Sequence, residues 1–248
     1  MRAVICLSGG QDSTTILGKA LHDGFECFAI GFDYGQRHKI ELEQAAKIAA
    51  ALNVPYQVLD IKSFGKLVTS ALARPEGTFG VPHERMASVP SSFVPNRNAV
   101  ILTLAHAYAQ EVGAEVVFGG MCETDYSGYP DCREVFINSL ENALNIGYLT
   151  KIKLITPLMH LNKAATFKMA EECGVLDLVL EESHTCYKGI RGVACNYMGH
   201  EVANWETGRY VWGHGCGECP ACDLRANGWA EYKAMEHIAE GRVTGTVE

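Results

Sequence analysis

The sequence predicts an α/β fold: a doubly wound parallel sheet with a small subdomain appended at the C-terminal end. Three observations predict it. Short apolar runs alternate with helical patterns of roughly 10–15 residues up to about residue 174, glycine or proline punctuates the joins, and the alternation stops near residue 180, where cysteines accumulate. Strands joined through helices require right-handed crossovers and a sheet covered on both faces.

In chain order, residues 3–7 form an apolar strand and 13–22 a helix ended by Gly24. A second strand covers 27–32. A long helix over 38–52 stops at Asn53-Val54-Pro55, and 56–61 is a third strand. Apolar residues at helical spacing mark 98–112, and a strand follows at 115–119. Residues 134–145 are helical, 152–158 a strand, and 163–173 a helix closed by Gly174. Residues 63–95 carry Gly, Pro and Ser without periodicity and are too long for a neutral connector, so they read as an active-site flap or as a surface excursion. The expected division is one unit over 1–180 and a second over 181–248.

Composition narrows the function classes. The 248 residues hold 21 Lys+Arg and 29 Asp+Glu, a formal net charge of −8. This argues against an undirected grip on nucleic acid, which needs a cationic field. No apolar run approaches the roughly 18 residues of a membrane span, and the start MRAVICLSGG does not read as a signal peptide. A cytoplasmic location is expected, where the ten cysteines are reduced thiols rather than disulfides.

The first strand runs into Ser8-Gly9-Gly10-Gln11-Asp12-Ser13-Thr14-Thr15 and then a helix. Two glycines permit positive φ and close backbone approach, and Asp12, Ser13 or Thr14 are candidate caps for the helix. Unpaired amides and the positive helix end then converge on one point, an anion site to which Ser8 and Ser13 add hydroxyls. No lysine follows the glycines, so this is not the GxxxxGK[ST] cradle. SGGQDS resembles the PP-loop of N-type ATP pyrophosphatases, which implies a hold on the β- and γ-phosphates and attack of a substrate oxygen on the α-phosphate.

Cys216-Gly-Glu-Cys219-Pro-Ala-Cys222 sets three thiols at CxxCxxC spacing, enough to wrap a tetrahedral ion with one ligand supplied from elsewhere. Cys186, Cys195, His184 and His214 are the candidates for it. Zinc suits four thiolates without redox work, although an iron–sulfur cluster uses the same ligands. A closed four-thiolate site leaves no open position, so its role is structural. Cys6, Cys27 and Cys173 read as small buried thiols. Cys122 and Cys132 flank a polar loop and invite a thiol-transfer reading, the weaker of the two.

The whole pattern resembles the 7-cyano-7-deazaguanine synthase family. SGGQDSTT at 8–15, YGQRHKIEL at 34–42, VPNRNAVILTLA at 94–105, ETDYSGYPDCR at 123–133, PLMHLNKAAT at 157–166 and CGECPACDLR at 216–225 follow the family's order from residue 1 to about 233. The resemblance implies zinc ligands Cys186, Cys216, Cys219 and Cys222, and an ATP site spanning Ser8 to about Gly18. One departure stands out: 29 residues lie between Cys186 and Cys216, more than the family usually leaves. They include Cys195 and the aromatics Tyr197, Trp205, Tyr210 and Trp212; the aromatics read as the insertion's own small core or, less readily, as a dimer or partner surface. A long loop between ligands adds little entropic cost over a short one.

The implied reaction converts 7-carboxy-7-deazaguanine, ammonia and ATP with Mg2+ to the nitrile: the carboxylate is adenylated and captured as an amide, and then the amide oxygen is activated and expelled. Asp12, Ser13, Arg97 and Lys163 are the catalytic candidates, the last two as counter-charges for phosphate or carboxylate. Asp125 or Asp131 suits the donor edge of a deazaguanine, Tyr126 or Tyr129 the base face, and Arg133 closes that loop. Small-molecule substrates and a homodimer are expected, with no membrane and no nucleic-acid partner. A variant that stops at the amide, a tRNA-modifying thiolase, and a non-catalytic zinc module are the rival readings.

Overall fold

The protein is represented by a computed structural model that describes residues 1–68, 70–72, 81–124, 128–192 and 200–239. Strand β1 (Arg2–Cys6) sets the layers. Ala3 and Ile5 belong to one apolar cluster and Val4 to another, all fully buried, because successive strand side chains point to opposite faces. Helix α1 (Gln11–His22), strand β2 (Glu26–Asp33), helix α2 (Ile40–Ala51), strand β3 (Tyr56–Asp60) and the short helix α3 (Lys62–Leu67) follow. A hairpin of β4 (Pro82–His83) and β5 (Met86–Pro90) precedes α4 (Arg97–Glu111) and β6 (Val116–Phe118). After a 3₁₀ turn at Pro130–Cys132 come α5 (Glu134–Tyr148), β7 (Lys153–Ile155), α6 (Lys163–Glu172) and α7 (Leu176–Glu181). A second hairpin, β8 (Val202–Asn204) and β9 (Arg209–Tyr210), leads to α8 (Pro220–Ala239).

The main sheet is parallel in the order β3-β2-β1-β6-β7. Helices α1 and α2 cover one face through Ile16, Leu17, Ala45 and Ile48, and α4 and α5 cover the other through Leu102, Ala105 and Ile137. The fold is the expected doubly wound α/β arrangement. Its strand order reverses between β1 and β6, and ligands of such sheets bind at the carboxyl ends of the strands flanking that point.

The predicted alternation is realised with small shifts at the ends. The strand expected over 152–158 is only Lys153–Ile155, and the helix expected to end at 145 runs on to Tyr148, where Leu149 turns left-handed (φ 56°). Helices α3, α7 and α8 and both hairpins were not anticipated. The sequence hides α8 because a glycine stands in its middle for a packing reason: a Cβ at Gly228 would lie 2.3 Å from the Lys163 Cβ of α6.

Helix α8 lies against α6, with the Phe167 and Trp229 rings 5.1 Å apart and Tyr232 fully buried. Between α7 and α8, Tyr210 and Trp212 stack at 4.7 Å and pack with Cys186, Cys216, Cys219 and Cys222 into a separate small core. Those two aromatics fit the small-core reading of the 187–215 segment; Trp205 is exposed, and Tyr197 and Cys195 lie outside the described residues.

Candidate active site

The loop after β1 is held in place before it can bind anything. Gly9 adopts φ +88°, and a Cβ there would stand 2.1 Å from the Glu41 carbonyl oxygen, so only glycine fits. Gly10 is the N-cap of α1, and no side chain caps it, contrary to the expected role for Asp12, Ser13 or Thr14. Ser13 Oγ instead accepts from the Ser8 amide (3.2 Å) and lies 3.0 Å from Ser8 Oγ. The first helical bond runs from Thr14 N to Gly10 O (3.1 Å), which leaves the Asp12 and Ser13 amides without an acceptor inside the helix. They add to the positive end of α1.

Asp12 is occupied by Lys163, whose ammonium reaches both carboxylate oxygens at 2.8 and 2.7 Å. The Lys163 side chain is only 8% exposed and that of Asp12 28%, so the ammonium end of the pair is largely shielded from water while the carboxylate keeps a partly open face. Two predicted residues 151 apart in sequence thus meet.

A cavity of about 290 Å³ opens beside them at the β1–β6 reversal. Its wall includes Ser8, Gly10, Gln11, Asp12 and Ser13 from the loop, Arg97 from the start of α4, and Tyr129. The Arg97 guanidinium stands 6.0 Å from the Tyr34 ring, and Tyr129 Oη is 2.6 Å from Ser92 Oγ. Leu72 also lines the wall and Ser70 bonds the Ser91 and Ser92 carbonyls, so the described part of the 63–95 segment closes back onto the site.

Other predicted residues stand elsewhere. Thr14 and Thr15 bond the carbonyls of Gly10 and Gln11, and Gly18 packs on Val175; these three sit in the helix interior rather than in the cavity wall. Asp131 is buried, accepts from the Asn98 amide (3.1 Å) and so anchors the start of α4 instead of lining the cavity. Arg133 is exposed and donates to the Pro130 carbonyl. Asp125 and Tyr126 lie outside the described residues. Cys132 accepts from Asn98 Nδ2, and burial pushes its thiol up to about 12, which leaves no nucleophilic thiolate there.

Sequence reasoning gave no role to Tyr34, Glu41, Thr185 or Tyr187, all of which line the cavity. The run YGQRHKIEL was the available signal for the first two. The Glu41 carboxyl is half-buried, and desolvation lifts it to about 7 despite the opposing pull of Arg97.

Cys186, Cys216, Cys219 and Cys222 are buried, with their sulfurs all within 4.8 Å of one another. Cys216 and Cys222 are 3.9 Å apart and Cys219 and Cys222 3.5 Å. The set can hold one metal ion. His184 and His214 stand outside it, paired with each other through a parallel backbone bridge. The same segment reaches the loop: the His184 amide donates to the Gly9 carbonyl (2.8 Å). Fully buried Arg225, next to the cysteines on α8, donates to the Val179 carbonyl (2.9 Å).

The chain is 52% identical over 233 residues to the 7-cyano-7-deazaguanine synthase of Wolinella succinogenes, covering 94% of each chain. It is 46% identical to that of Helicobacter pylori strain P12, covering 93% of this chain and 95% of the other, and 43% identical to that of Rhodopseudomonas palustris, covering 96% of each. Among solved structures it is similar to a 4-thiouridine synthetase in complex with RNA and ATP, at 17% identity and a TM-score of 0.47, covering all of this chain and 54% of the other. Residues 2–233 match the family described as "Queuosine biosynthesis protein QueC". With that match over nearly the whole chain, this protein belongs to the QueC family.

Proposed function

We propose that this chain makes 7-cyano-7-deazaguanine from 7-carboxy-7-deazaguanine, ammonia and ATP. The observation that carries the reading is the cavity at the sheet reversal, lined by the phosphate loop together with Arg97 and Tyr129. The Asp12 and Ser13 amides and the α1 dipole suit the β- and γ-phosphates. Lys163, already charged beside Asp12, offsets the charge that grows on the leaving pyrophosphate. Arg97 is suited to the substrate carboxylate and Tyr129 to the face of the base. Asp125 and Tyr126 complete the substrate side in this reading, while Asp131 positions α4. Mg2+ accompanies the ATP.

Both activations fit one site. Each begins with an oxygen on the same exocyclic carbon attacking the α-phosphorus, and each ends with that oxygen leaving on AMP. The cysteine set fits zinc: four thiolates at about 2.3 Å from one ion stand about 3.8 Å apart, and the observed separations bracket that distance. A cluster would spread its thiolates over separate irons and so hold them farther apart. When bound, the ion ties residue 186 to the start of α8, which makes its role structural. We assign 181–248 to this zinc-binding unit and 1–180 to nucleotide binding, with a cytoplasmic homodimer as the working form. No helix among the described residues is long and apolar enough to cross a membrane.

The test incubates pure protein with 7-carboxy-7-deazaguanine, ammonium and MgATP and follows bases and nucleotides by mass spectrometry. Nitrile with AMP supports the reading. Amide that accumulates without nitrile replaces it with a one-step ligase, and no turnover by folded, metal-loaded protein rejects it.

A further inference from the structure

Resting on that functional reading, we propose that Glu41 is the proton acceptor for the nitrogen nucleophile, in both amide and nitrile formation. Among the described residues, two carboxylates line the cavity, Asp12 and Glu41. Asp12 is committed to Lys163 through two hydrogen bonds. Glu41 lies in the first turn of α2, its own carbonyl against Gly9, which puts it beside the phosphate loop. Charged Arg97, which lines the same cavity, pulls on it electrostatically. A half-buried acid that faces a cavity, its charged form disfavoured by burial, is the kind of group that functional sites use. Its pKa, raised by burial to about 7, matches a base that works near neutral pH.

The chemistry has a place for one such group. Ammonia is supplied in water mainly as ammonium, so one proton must leave nitrogen before attack. Nitrogen then bonds to the carbon of the acyl-adenylate, the bond from carbon to the AMP oxygen breaks, AMP leaves with its electron pair, and a second nitrogen proton is shed. After the amide oxygen is adenylated in turn, loss of AMP and of the remaining nitrogen protons closes the C≡N bond. Each time Glu41 takes the proton and returns it to water. A phosphate ligand is the wrong occupant for this position, because it would repel the carboxylate.

The experiment compares the unaltered enzyme with Glu41→Gln and Glu41→Asp in three readouts. They are amide and nitrile formation with ammonium, hydroxamate formation with hydroxylamine (largely unprotonated at pH 7), and base-dependent exchange of pyrophosphate into ATP. With ammonium, Glu41→Gln is expected to lose about 10²–10⁴-fold. With hydroxylamine the loss is expected to be at least about tenfold smaller, and Glu41→Asp falls between, in the same order. Equal losses with the two nucleophiles, or a pyrophosphate exchange that falls as far as nitrile formation, overturn the assignment and make Glu41 a binding residue. No activity in any readout for the unaltered enzyme is a different result: it rejects the functional reading itself and the role of Glu41 with it.

Discussion

Replacing Gly9 by alanine tests whether the loop is built as described. At φ +88° an L-residue is strained by roughly 1–2 kcal/mol, and the new Cβ would fall 2.1 Å from Glu41 O and 2.8 Å from Ala45 N. Both neighbours are backbone of α2, and neither can swing away as a flexible side chain would. Overpacking of that kind adds about 1–3 kcal/mol, so the total is roughly 2–5 kcal/mol. For a chain of this size that lowers Tm by about 4–20 °C. Gly24→Ala is the control, because Gly24 has φ +81° but nothing within 4 Å of a new Cβ; it isolates the strain at about 1–2 kcal/mol. Urea unfolding of both variants at equal slope gives the difference, and calorimetric titration with ATP reads the loop. Gly9→Ala is expected to lose more stability than Gly24→Ala and, unlike it, to bind ATP at least tenfold more weakly. If the two variants match in both measurements, the loop does not sit against α2 as argued.

Other outcomes follow from the same geometry. Lys163→Met leaves the Asp12 carboxylate without its ammonium, which costs about 1–3 kcal/mol in urea unfolding and lowers pyrophosphate exchange by about 10²-fold or more. Glu41, at about 7 when folded and near 4.3 when unfolded, makes the folded chain the tighter proton binder. Stability therefore falls as pH rises between those values, and Glu41→Gln is expected to gain about 1–3 kcal/mol at pH 8 and little at pH 4, read from urea midpoints. Elemental analysis is expected to find one metal per chain, and Cys219→Ser to abolish it and to weaken ATP binding about tenfold; a variant that retains both contradicts the described cluster.

Much of this architecture was legible because the relevant signals are local. Apolar alternation marks β1 and β2, helical spacing marks α4, and the loop of 8–15 and the CxxCxxC run declare their chemistry within a few residues. The illegible parts depend on contacts that sequence distance hides. Nothing near residue 12 says that Lys163 will meet Asp12, and nothing near Gly228 says that Lys163 demands a glycine there. The Asp131 contact was hidden for a related reason: an acid in a polar loop looks the same whether it faces a ligand or accepts from the Asn98 amide, as it does here. Glu41 escaped because its setting comes from Gly9 and Arg97, which lie on other elements.

The cysteine cluster and the loop after β1 are coupled through residues 184–187, so a metal held by the cluster would have a structural part to play at the proposed nucleotide site. Cys186 ends a segment whose His184 amide holds Gly9, and the Gln11 amide lies 3.4 Å from Thr185 Oγ1. Arg225, three residues beyond Cys222, reaches the same Thr185 hydroxyl and the end of α7. A metal that draws Cys186 to the start of α8 therefore fixes residues 184–187, and they in turn close the cavity against the loop. Without it, the buried Arg225 and the bond onto Gly9 lose their framework while the β-sheet, packed through separate clusters, keeps its own. Metal loss should therefore erase nucleotide binding before it unfolds the sheet, a sequence of events that ATP titration and far-UV circular dichroism at rising chelator resolve.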